Sequence, residues 1–188
     1  MKIYNSAFES GRWAPGAVAA VGKFDGIHLG HQKIIRLAVA RAKKLKVRCL
    51  VVTFDPLPDQ FLLLYSYRPL LSEAEKMEIL GRMGVDAVVI MPFDKELACL
   101  SPEAFAVTVL KEQLKAREIV VGEDFCFGKD RAGTAEALIE FGRAMGFKVH
   151  AVPLVRAAGQ KISASRIREL IESGNRAGAE KLLGRAPA

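Results

Sequence analysis

Short runs of apolar residues alternate along the chain with stretches in which apolar residues recur every three or four positions. The runs predict strands at 18–21, 47–54, 87–91, 119–121 and 148–152. The longer period predicts helices near 30–44, 72–83, 101–114 and 134–145, and two short helices within 165–183. Because strands that alternate with helices are typical of an α/β fold, we predict a Rossmann-like parallel sheet with helices on both faces.

Local residues mark where the predicted helices begin and end. Ser72 has the spacing of a capping box with the glutamate three residues later, and Ser101 precedes a proline that suits the first helical position. Gly84 and Gly146 stand where two helices should stop, and Gly174 stands between the last two. These signals agree with the helix positions that the periodicity predicts.

Three glycine- or proline-rich loops follow predicted strands, at 22–31, 53–58 and 122–133. In a parallel sheet of this kind, ligands bind beyond the carboxyl ends of the strands. We therefore expect these three loops to meet in one cleft.

The loop after the first predicted strand has the most informative sequence, Gly22-Lys23-Phe24-Asp25-Gly26-Ile27-His28-Leu29-Gly30-His31. The first N–H groups of the helix that follows have no intrahelical partners, and the helix dipole adds about half a positive charge there. Such a junction suits a phosphate group. Because His28 and His31 are three residues apart, both imidazoles can point at the same phosphate.

Two other interpretations of the histidines are a pair of surface residues and half of a metal site. A metal site needs three or four ligands, and the chain offers only His150 and three scattered cysteines besides the pair. We therefore predict no metal site built from side chains.

Composition and charge exclude several classes of function. The chain has 188 residues, of which 51% are hydrophobic, which is enough for one full core. The net charge of +7 suggests an anionic partner. The dense basic cluster at 41–48, however, stands at a predicted helix end without interleaved aromatic residues. We therefore expect no nucleic acid, and we assign part of the excess charge to small anionic substrates.

The longest apolar runs fall far short of the roughly 18 residues that a membrane span requires, and no leader segment is recognisable at the N-terminus. The three cysteines do not form a disulfide framework. These observations lead us to expect a cytoplasmic protein without membrane contact.

Five sequence blocks resemble those of the His-x-Gly-His nucleotidyltransferase superfamily. Within it they are most similar to the bacterial FAD synthetases of the bifunctional riboflavin kinase/FMN adenylyltransferase type. The blocks lie at 21–31, 53–58, 97–105, 121–128 and 162–169. The resemblance covers nearly the whole chain and implies a Rossmann-like fold of the nucleotidyltransferase type.

The resemblance implies that the chain transfers the adenylyl group of ATP to FMN, forming FAD and pyrophosphate. It assigns catalysis to His28, His31 and Arg168. It assigns ATP binding to Gly22, Lys23, Phe24, Asp25, Gly30, Gly122, Ser163 and Ser165. It assigns flavin binding to Pro56, Pro58, Phe61, Phe105, Asp124 and Phe127. Mg²⁺ is expected to arrive bound to ATP, and no obligatory protein partner is implied.

Many of these residues also have a plain structural interpretation. Serines such as Ser163 are often N-caps, charged residues such as Lys23 and Arg168 are often only solvated, and Asp124 can cap its own backbone. Phenylalanines most often belong to the core. For the whole chain, the alternatives are a nucleotidyltransferase with another phosphate acceptor, or a paralogue that binds flavin or nucleotide with little or no activity.

Three positions depart from the family pattern. Leu57 stands where histidine is usual, Cys126 where arginine is frequent, and Ala164 where serine is usual. Each departure removes a polar contact, so activity or substrate choice is expected to differ from that of the usual enzyme.

We expect one FMN adenylyltransferase domain at 1–185 and no riboflavin kinase domain. The sequence Leu182-Leu183-Gly184-Arg185 resembles the junction after which that second domain begins in the bifunctional proteins. A stand-alone enzyme and one part of a longer protein both remain open.

Overall fold

A parallel sheet lies at the centre of the protein in a computed structural model, which describes residues 1–63 and 68–187. The strands of these residues are β1 (Lys2–Tyr4), β2 (Val18–Val21), β3 (Cys49–Asp55), β4 (Ala87–Pro92), β5 (Glu118–Gly122), β6 (Cys126–Phe127), β7 (Gly133–Thr134), β8 (Lys148–Val152), β9 (Arg156–Ala157) and β10 (Gln160–Lys161). The main sheet has the order β1-β4-β3-β2-β5-β8, and every neighbouring pair in it is parallel. The prediction of a parallel sheet is confirmed.

Helices connect these strands. The α-helices of the described residues are α1 (Ala7–Trp13), α2 (Leu29–Leu45), α3 (Pro58–Leu63), α4 (Glu73–Arg82), α5 (Lys95–Cys99), α6 (Pro102–Ala104), α7 (Ala135–Met145), α8 (Ala164–Glu172) and α9 (Arg176–Leu183). The helix predicted at 101–114 begins as α6 but continues as a π-helix over Phe105–Gln113. Ser72 forms its capping box, and Gly146 ends α7 in the left-handed conformation, as the sequence predicts.

Helices cover both faces of the sheet. On one face, Ile35 of α2 and Leu80 of α4 are fully buried against the strands. On the other face, Leu110 of the π-helix and Leu138 of α7 are buried with them. All residues of β2 are buried, which is typical of a central strand in a sheet covered on both sides.

The last two helices form a small separate core that positions the candidate site. Ile167 of α8 packs with Ala179 and Leu183 of α9, and Leu29 at the start of α2 packs against this cluster. The α8–α9 pair therefore lies beside the loop that joins β2 to α2.

The shortest elements were not predicted from the sequence. These are β1, α1, α3, α5 and the two hairpins β6–β7 and β9–β10. Strands of two or three residues are too short to show a period of two, so the pattern cannot reveal them. In the described ranges, no helix combines the length and the apolar surface that crossing a bilayer requires.

The strand order also indicates where a ligand binds. From β2 the chain builds the sheet outward through β3 and β4, and it then returns to the other side of β2 to add β5 and β8. The loops after β2 and β5 therefore leave neighbouring strands in different directions and open a crevice between them. The glycine-rich sequence at 22–31 lies at this point.

Candidate active site

Two stacked histidines stand where β2 passes into α2. His28 is the N-cap of α2, and its Nδ1 accepts a hydrogen bond from the backbone N–H of His31 at 3.3 Å. The imidazole rings stack with their centroids 3.7 Å apart and their planes inclined by 17°. A Cβ atom on Gly30 would lie 3.1 Å from the His28 ring, so a glycine makes room for the stack. The two imidazoles therefore lie together, as their spacing predicts.

Burial keeps both histidines neutral. His28 is 6% exposed, and its loss of hydration lowers its pKa to about 4. Burial, and next the charge of His28, hold the pKa of His31 well below its usual value. Because Nδ1 of His28 accepts a hydrogen bond, the ring proton resides on Nε2, from which it can be donated to an anion. Among the described residues, the buried Nδ1 of His31 has no hydrogen-bond partner.

The loop that carries the pair has an unusual backbone. Phe24, Gly26 and Ile27 have φ angles of 47°, 75° and 39°, all in the left-handed region. The Phe24 ring is buried and meets the His31 ring edge-on, with the centroids 5.4 Å apart. Phe24 therefore supports His31 with its ring and can offer a nucleotide only its backbone.

Residues at and after the end of α9 hold the same loop. Arg185 donates to the carbonyl oxygens of Gly26 at 2.7 Å and Ile27 at 3.3 Å. Nε2 of Gln32 donates to the carbonyl oxygens of Ile27 at 3.1 Å and Leu183 at 2.8 Å. We call these contacts of Gln32, Leu183 and Arg185 the tail clamp. It satisfies carbonyl groups that the unusual turn leaves outside regular secondary structure.

An ion pair joins this loop to α8. Asp25 is 2% exposed and accepts from the Arg168 guanidinium at 2.6 Å and from the backbone N–H of Leu70 at 2.8 Å. Nε of Arg168 also donates to the carbonyl oxygen of Arg68 at 3.1 Å. Two residues 143 positions apart, both selected from the sequence, are thus in direct contact. Because Asp25 is buried, it acts here by holding Arg168, and its contact with ATP stays a prediction.

The loop is also joined to the end of β3 and the start of α3. Nζ of Lys23 lies 2.6 Å from Oδ2 of Asp59, and the Lys23 side chain is 42% exposed. The hydroxyl of buried Thr53 donates to the carbonyl oxygen of Lys23 at 2.9 Å. The first and second sequence blocks therefore form one side of the crevice.

The loop after β5 forms the other side. Gly122 ends β5, and a Cβ atom there would lie 2.9 Å from Oδ1 of Asp124, so a glycine allows the loop to turn back. Asp124 is exposed and forms an ion pair with Lys161 of β10. Lys161 lowers and Asp124 raises the pKa of His28, which places both charges within electrostatic range of the histidine pair.

The N-terminus of α8 lies in the fifth block. Ser163 is its N-cap, and its Oγ accepts from the backbone N–H of Arg166 at 3.3 Å. The N-cap interpretation of Ser163 is therefore confirmed, and its hydroxyl proton can still be donated to an anion. Ser165 is exposed in the first turn.

Comparison with protein-family models adds the deciding observation. Residues 12–166 match the family described as FAD synthetase. The match includes the histidine pair, the loop after β5 and the start of α8. The chain belongs to the FAD synthetase family.

The names of curated relatives agree with the assignment of this chain to the FAD synthetase family. A bifunctional riboflavin kinase/FMN adenylyltransferase of Pseudomonas fluorescens is 36% identical over 90% of this chain and 55% of its own length. The protein of that name in Escherichia coli (strain K12) is 31% identical over 90% of this chain and 54% of its own length. A Geobacillus thermodenitrificans protein provisionally given this name is 37% identical over 98% of this chain and 97% of its own length. The chain thus spans about half the length of the first two relatives and nearly all of the third.

Solved structures show the same fold. A crystal structure from Streptococcus pneumoniae, named a macrolide-efflux protein, has a TM-score of 0.80 and 36% identity over 91% of this chain and 56% of that chain. Pantothenate synthetase from Thermus thermophilus has a TM-score of 0.59 at 16% identity, over 98% of this chain and 81% of that chain. The second likeness concerns the fold alone. The α/β fold of nucleotidyltransferase type is confirmed.

The aromatic residues near the candidate flavin site of this FAD synthetase family member fall into two groups that differ in exposure. Phe105 and Phe127 are 4% and 6% exposed and belong to the main core, with ring centroids 5.6 Å apart. Phe61 is half-buried and meets Phe93 edge-on, with centroids 5.5 Å apart. Phe125 is also half-buried and stacks on Phe127 at 5.4 Å. Phe105 and Phe127 therefore follow the core interpretation, whereas the neighbouring rings of Phe61, Phe93 and Phe125 keep some accessible surface.

Sequence reasoning assigned no role to several residues that lie near the site: Gln32, Lys76, Phe93 and Lys161, and also Thr53 and Phe125, which it included only as members of the blocks at 53–58 and 121–128. Phe93 had a usable signal, because it directly follows β4, at the edge where ligands are expected. Lys161 had none, since its two-residue strand shows no pattern.

Proposed function

We propose that this FAD synthetase family member transfers the adenylyl group of ATP to FMN, forming FAD and pyrophosphate. Relatives at 31–37% identity carry the name FMN adenylyltransferase, which supports this reaction. The observation that carries the proposal is the neutral stacked pair of His28 and His31 at the first turn of α2. We assign the activity to residues 1–185.

The chemistry requires alignment more than activation. A phosphate oxygen of FMN attacks the α-phosphorus of ATP, and the bond from that phosphorus to the oxygen bridging to the β-phosphate breaks. The attacking oxygen is already anionic, so no side chain has to serve as nucleophile or base. The protein has to hold two anions in line and stabilise the negative charge on the α-phosphate and the departing pyrophosphate.

His28 and His31 supply donors for the ATP phosphates. The Nε2–H group of His28 and the ring of His31 are held in place before ATP arrives, so little reorganisation is needed in the transition state. The N-terminus of α2 adds backbone N–H groups and the positive end of its dipole. Gly22 and Gly30 allow the phosphates to approach this turn closely.

Arg168 serves the β- and γ-phosphates, together with Ser163 and Ser165. A guanidinium can bind phosphate oxygens with two parallel hydrogen bonds. The ion pair with Asp25 supports this assignment, because it holds Arg168 beside the histidine loop. Lys23 and Gly122 are assigned to ATP as well.

The acceptor lies on the side of the crevice formed by the second block. Pro56 is exposed and Pro58 begins α3, next to the half-buried ring of Phe61. Flat apolar surfaces of this kind suit an isoalloxazine ring, and Asp124 offers a polar contact across the crevice.

Enzymes of this family use a divalent metal ion, and we propose Mg²⁺ carried on the ATP phosphates. In the part of the chain that the structure describes, no three His, Cys, Asp or Glu side chains are grouped to hold a metal ion.

Product analysis tests the proposal. The protein is mixed with ATP, Mg²⁺ and either FMN, riboflavin or a panel of other phosphate acceptors, and the products are separated by chromatography. We expect FAD from FMN and no FAD from riboflavin, because riboflavin lacks the attacking phosphate oxygen. FAD formed from riboflavin would contradict the mechanism. Adenylylation of another acceptor, or flavin binding without product, would favour the alternative nucleotidyltransferase or the inactive paralogue.

A further inference from the structure

A small cavity adjoins the candidate active site at the carboxyl end of β3 and the first turn of α4. Its volume is about 180 Å³, less than the roughly 300 Å³ at which typical small-molecule pockets begin. A phosphate group fits this volume, whereas an isoalloxazine ring does not. Its walls include Thr53, Leu57, Gln60 and Lys76.

Lys76 is the unusual residue of this cavity. It is 9% exposed, although lysine is almost never buried without a partner. Within residues 1–63 and 68–187, its ammonium group forms no hydrogen bond or ion pair. Burial lowers the pKa of this group.

An ammonium group in this state destabilises the fold. It has lost part of its hydration without gaining a partner, and a methionine of similar length would fill the same space without that loss. Proteins keep destabilising polar groups mainly where a ligand uses them. The burial of Lys76 is therefore evidence for a ligand.

The charge of Lys76 reaches the histidine pair. Lys76 is one of the cations that lower the pKa of His31, so the ammonium lies within electrostatic range of the proposed position of the α-phosphate. Asp25, Glu73 and Asp55 oppose the pKa shift of Lys76. Asp25 is already paired with Arg168, and Glu73 and Asp55 are exposed, so water screens their charges.

We propose that Lys76 binds the phosphate group of the acceptor and positions it for attack on ATP. The inference rests on the proposed adenylyl transfer and names a further residue for it. The cavity is bounded by Leu57 and Gln60, which belong to the same turn as the flavin-binding positions Pro56 and Phe61. ATP has donors of its own in the histidine pair and α8, so the cavity serves the acceptor.

Gln60 adds a second donor to this subsite. Its side-chain oxygen accepts from the backbone N–H of Leu57 at 2.9 Å, so its NH₂ group is the end that can donate to a ligand. An ammonium and a carboxamide NH₂ on one small wall match the oxygens of a phosphate monoester.

Two flavins that differ only in the phosphate test the proposal. FMN and riboflavin are titrated into the protein without ATP, and binding is followed by quenching of flavin fluorescence. We expect the parent to bind FMN more tightly than riboflavin. Lys76→Met should weaken FMN binding at least about tenfold and leave riboflavin and ATP affinities within about twofold. Lys44→Met, at an exposed lysine in the last turn of α2, is the matched control and should change none of them.

Thermal unfolding separates this role from a structural one. Because Lys76→Met removes a buried unpaired charge, we expect its melting temperature to equal or exceed that of the parent. Lys76→Gln serves the same comparison if the methionine variant folds poorly. Equal losses of FMN and riboflavin affinity, an unchanged FMN affinity, or a parent that does not prefer FMN would overturn the inference. Failure of the parent to form FAD would count against the proposed function alone, since these titrations contain no ATP.

Discussion

Partly or fully buried histidines occur in two different settings, at His150 and at the pair of His28 and His31. Nε2 of His150, on β8, lies 2.8 Å from Oε2 of Glu118. Glu118 also accepts two hydrogen bonds from Arg41, at 2.7 Å and 2.6 Å. The pair, in contrast, leaves the buried Nδ1 of His31 without a partner among the described residues.

The two clusters differ in whether other protein groups form hydrogen bonds with their polar atoms. Hydrogen bonds from Arg41, and more weakly from His150, lower the pKa of Glu118 to about 2, so protein groups alone keep Glu118 ionised and hydrogen-bonded. Desolvation keeps the histidine pair neutral, and we propose that its ring donors bind an anion. The first cluster therefore serves stability, and the second is proposed to serve a ligand.

Removing one histidine from each cluster should give the largest difference in activity between them. We expect His31→Ala to lower kcat for FAD formation about a hundredfold, since loss of one preorganised donor to a developing charge costs on the order of 3 kcal/mol. FMN affinity should change little. His150→Ala, the control, should keep kcat within about twofold. Steady-state kinetics with both variants decide this, and near-parent turnover for His31→Ala would remove its assigned role.

The stability cluster should respond in the opposite way. Glu118→Gln leaves the half-buried Arg41 beside a neutral amide, so we expect a loss of about 1 kcal/mol in the free energy of unfolding, with kcat unchanged. Glu78→Gln removes the exposed ion pair with Arg82 and should cost less than about 0.5 kcal/mol. Chemical denaturation measures both. Equal effects of the two substitutions would show that the cluster of Glu118, Arg41 and His150 does not stabilise the fold.

A conservative change at Arg168 tests the ligand side again. Lysine keeps the charge near Asp25 but cannot bind two phosphate oxygens in parallel, so Arg168→Lys should lower kcat/KM for ATP about tenfold. FMN affinity should stay the same. Arg166→Lys on the same helix is the control, because Arg166 contacts backbone carbonyls of the β9–β10 hairpin, including Ala157 at 3.1 Å. ATP kinetics equal to those of the parent would refute the assignment.

Acid should lower the free energy of unfolding first through His28, and only at lower pH through Glu118. The pKa of His28 is about 4 in the folded protein, below the ordinary value of 6.5, so the unfolded chain takes up a proton at higher pH than the folded one. Stability is therefore complete above pH 6.5 and is lost as the pH falls towards 4, by about 1 kcal/mol between pH 7 and 5.5. Glu118 contributes its loss only below its ordinary pKa of 4.5, towards 2. Urea unfolding in that pH range, with the parent and His28→Gln, checks the order, and an unchanged slope in the variant would contradict it.

Much of the site followed from the sequence because its residues lie at the ends of strands with clear periodicity. The histidine pair, Gly30 and the N-cap at Ser163 all follow from local spacing. The hydrogen bond from the Thr53 hydroxyl to the carbonyl oxygen of Lys23 agrees with the prediction that the loops at 22–31 and 53–58 meet. Local rules suffice where a strand end or a helix start fixes the geometry.

The remaining features depend on tertiary packing, which spacing does not report. Phe105 and Phe127 are core residues because the π-helix and the β6–β7 hairpin turn both rings inward. Lys76 looks like any solvated lysine on an amphipathic helix, and only the burial of its side chain shows that it is unusual. Gln32 and Arg185 support the loop through hydrogen bonds that join residues far apart in the sequence.

The tail clamp has a consequence for the time course of folding. Three of its hydrogen bonds join residues 151 to 159 positions apart, so they close most of the chain into a loop. Contacts of such long separation form slowly, and synthesis delivers the N-terminal part first. The turn at Gly26 and Ile27 therefore receives its last supports only after α9 has been made. A nascent chain that ends before α9 can assemble the sheet and still lack a finished nucleotide loop, so the activity should mature later than the fold.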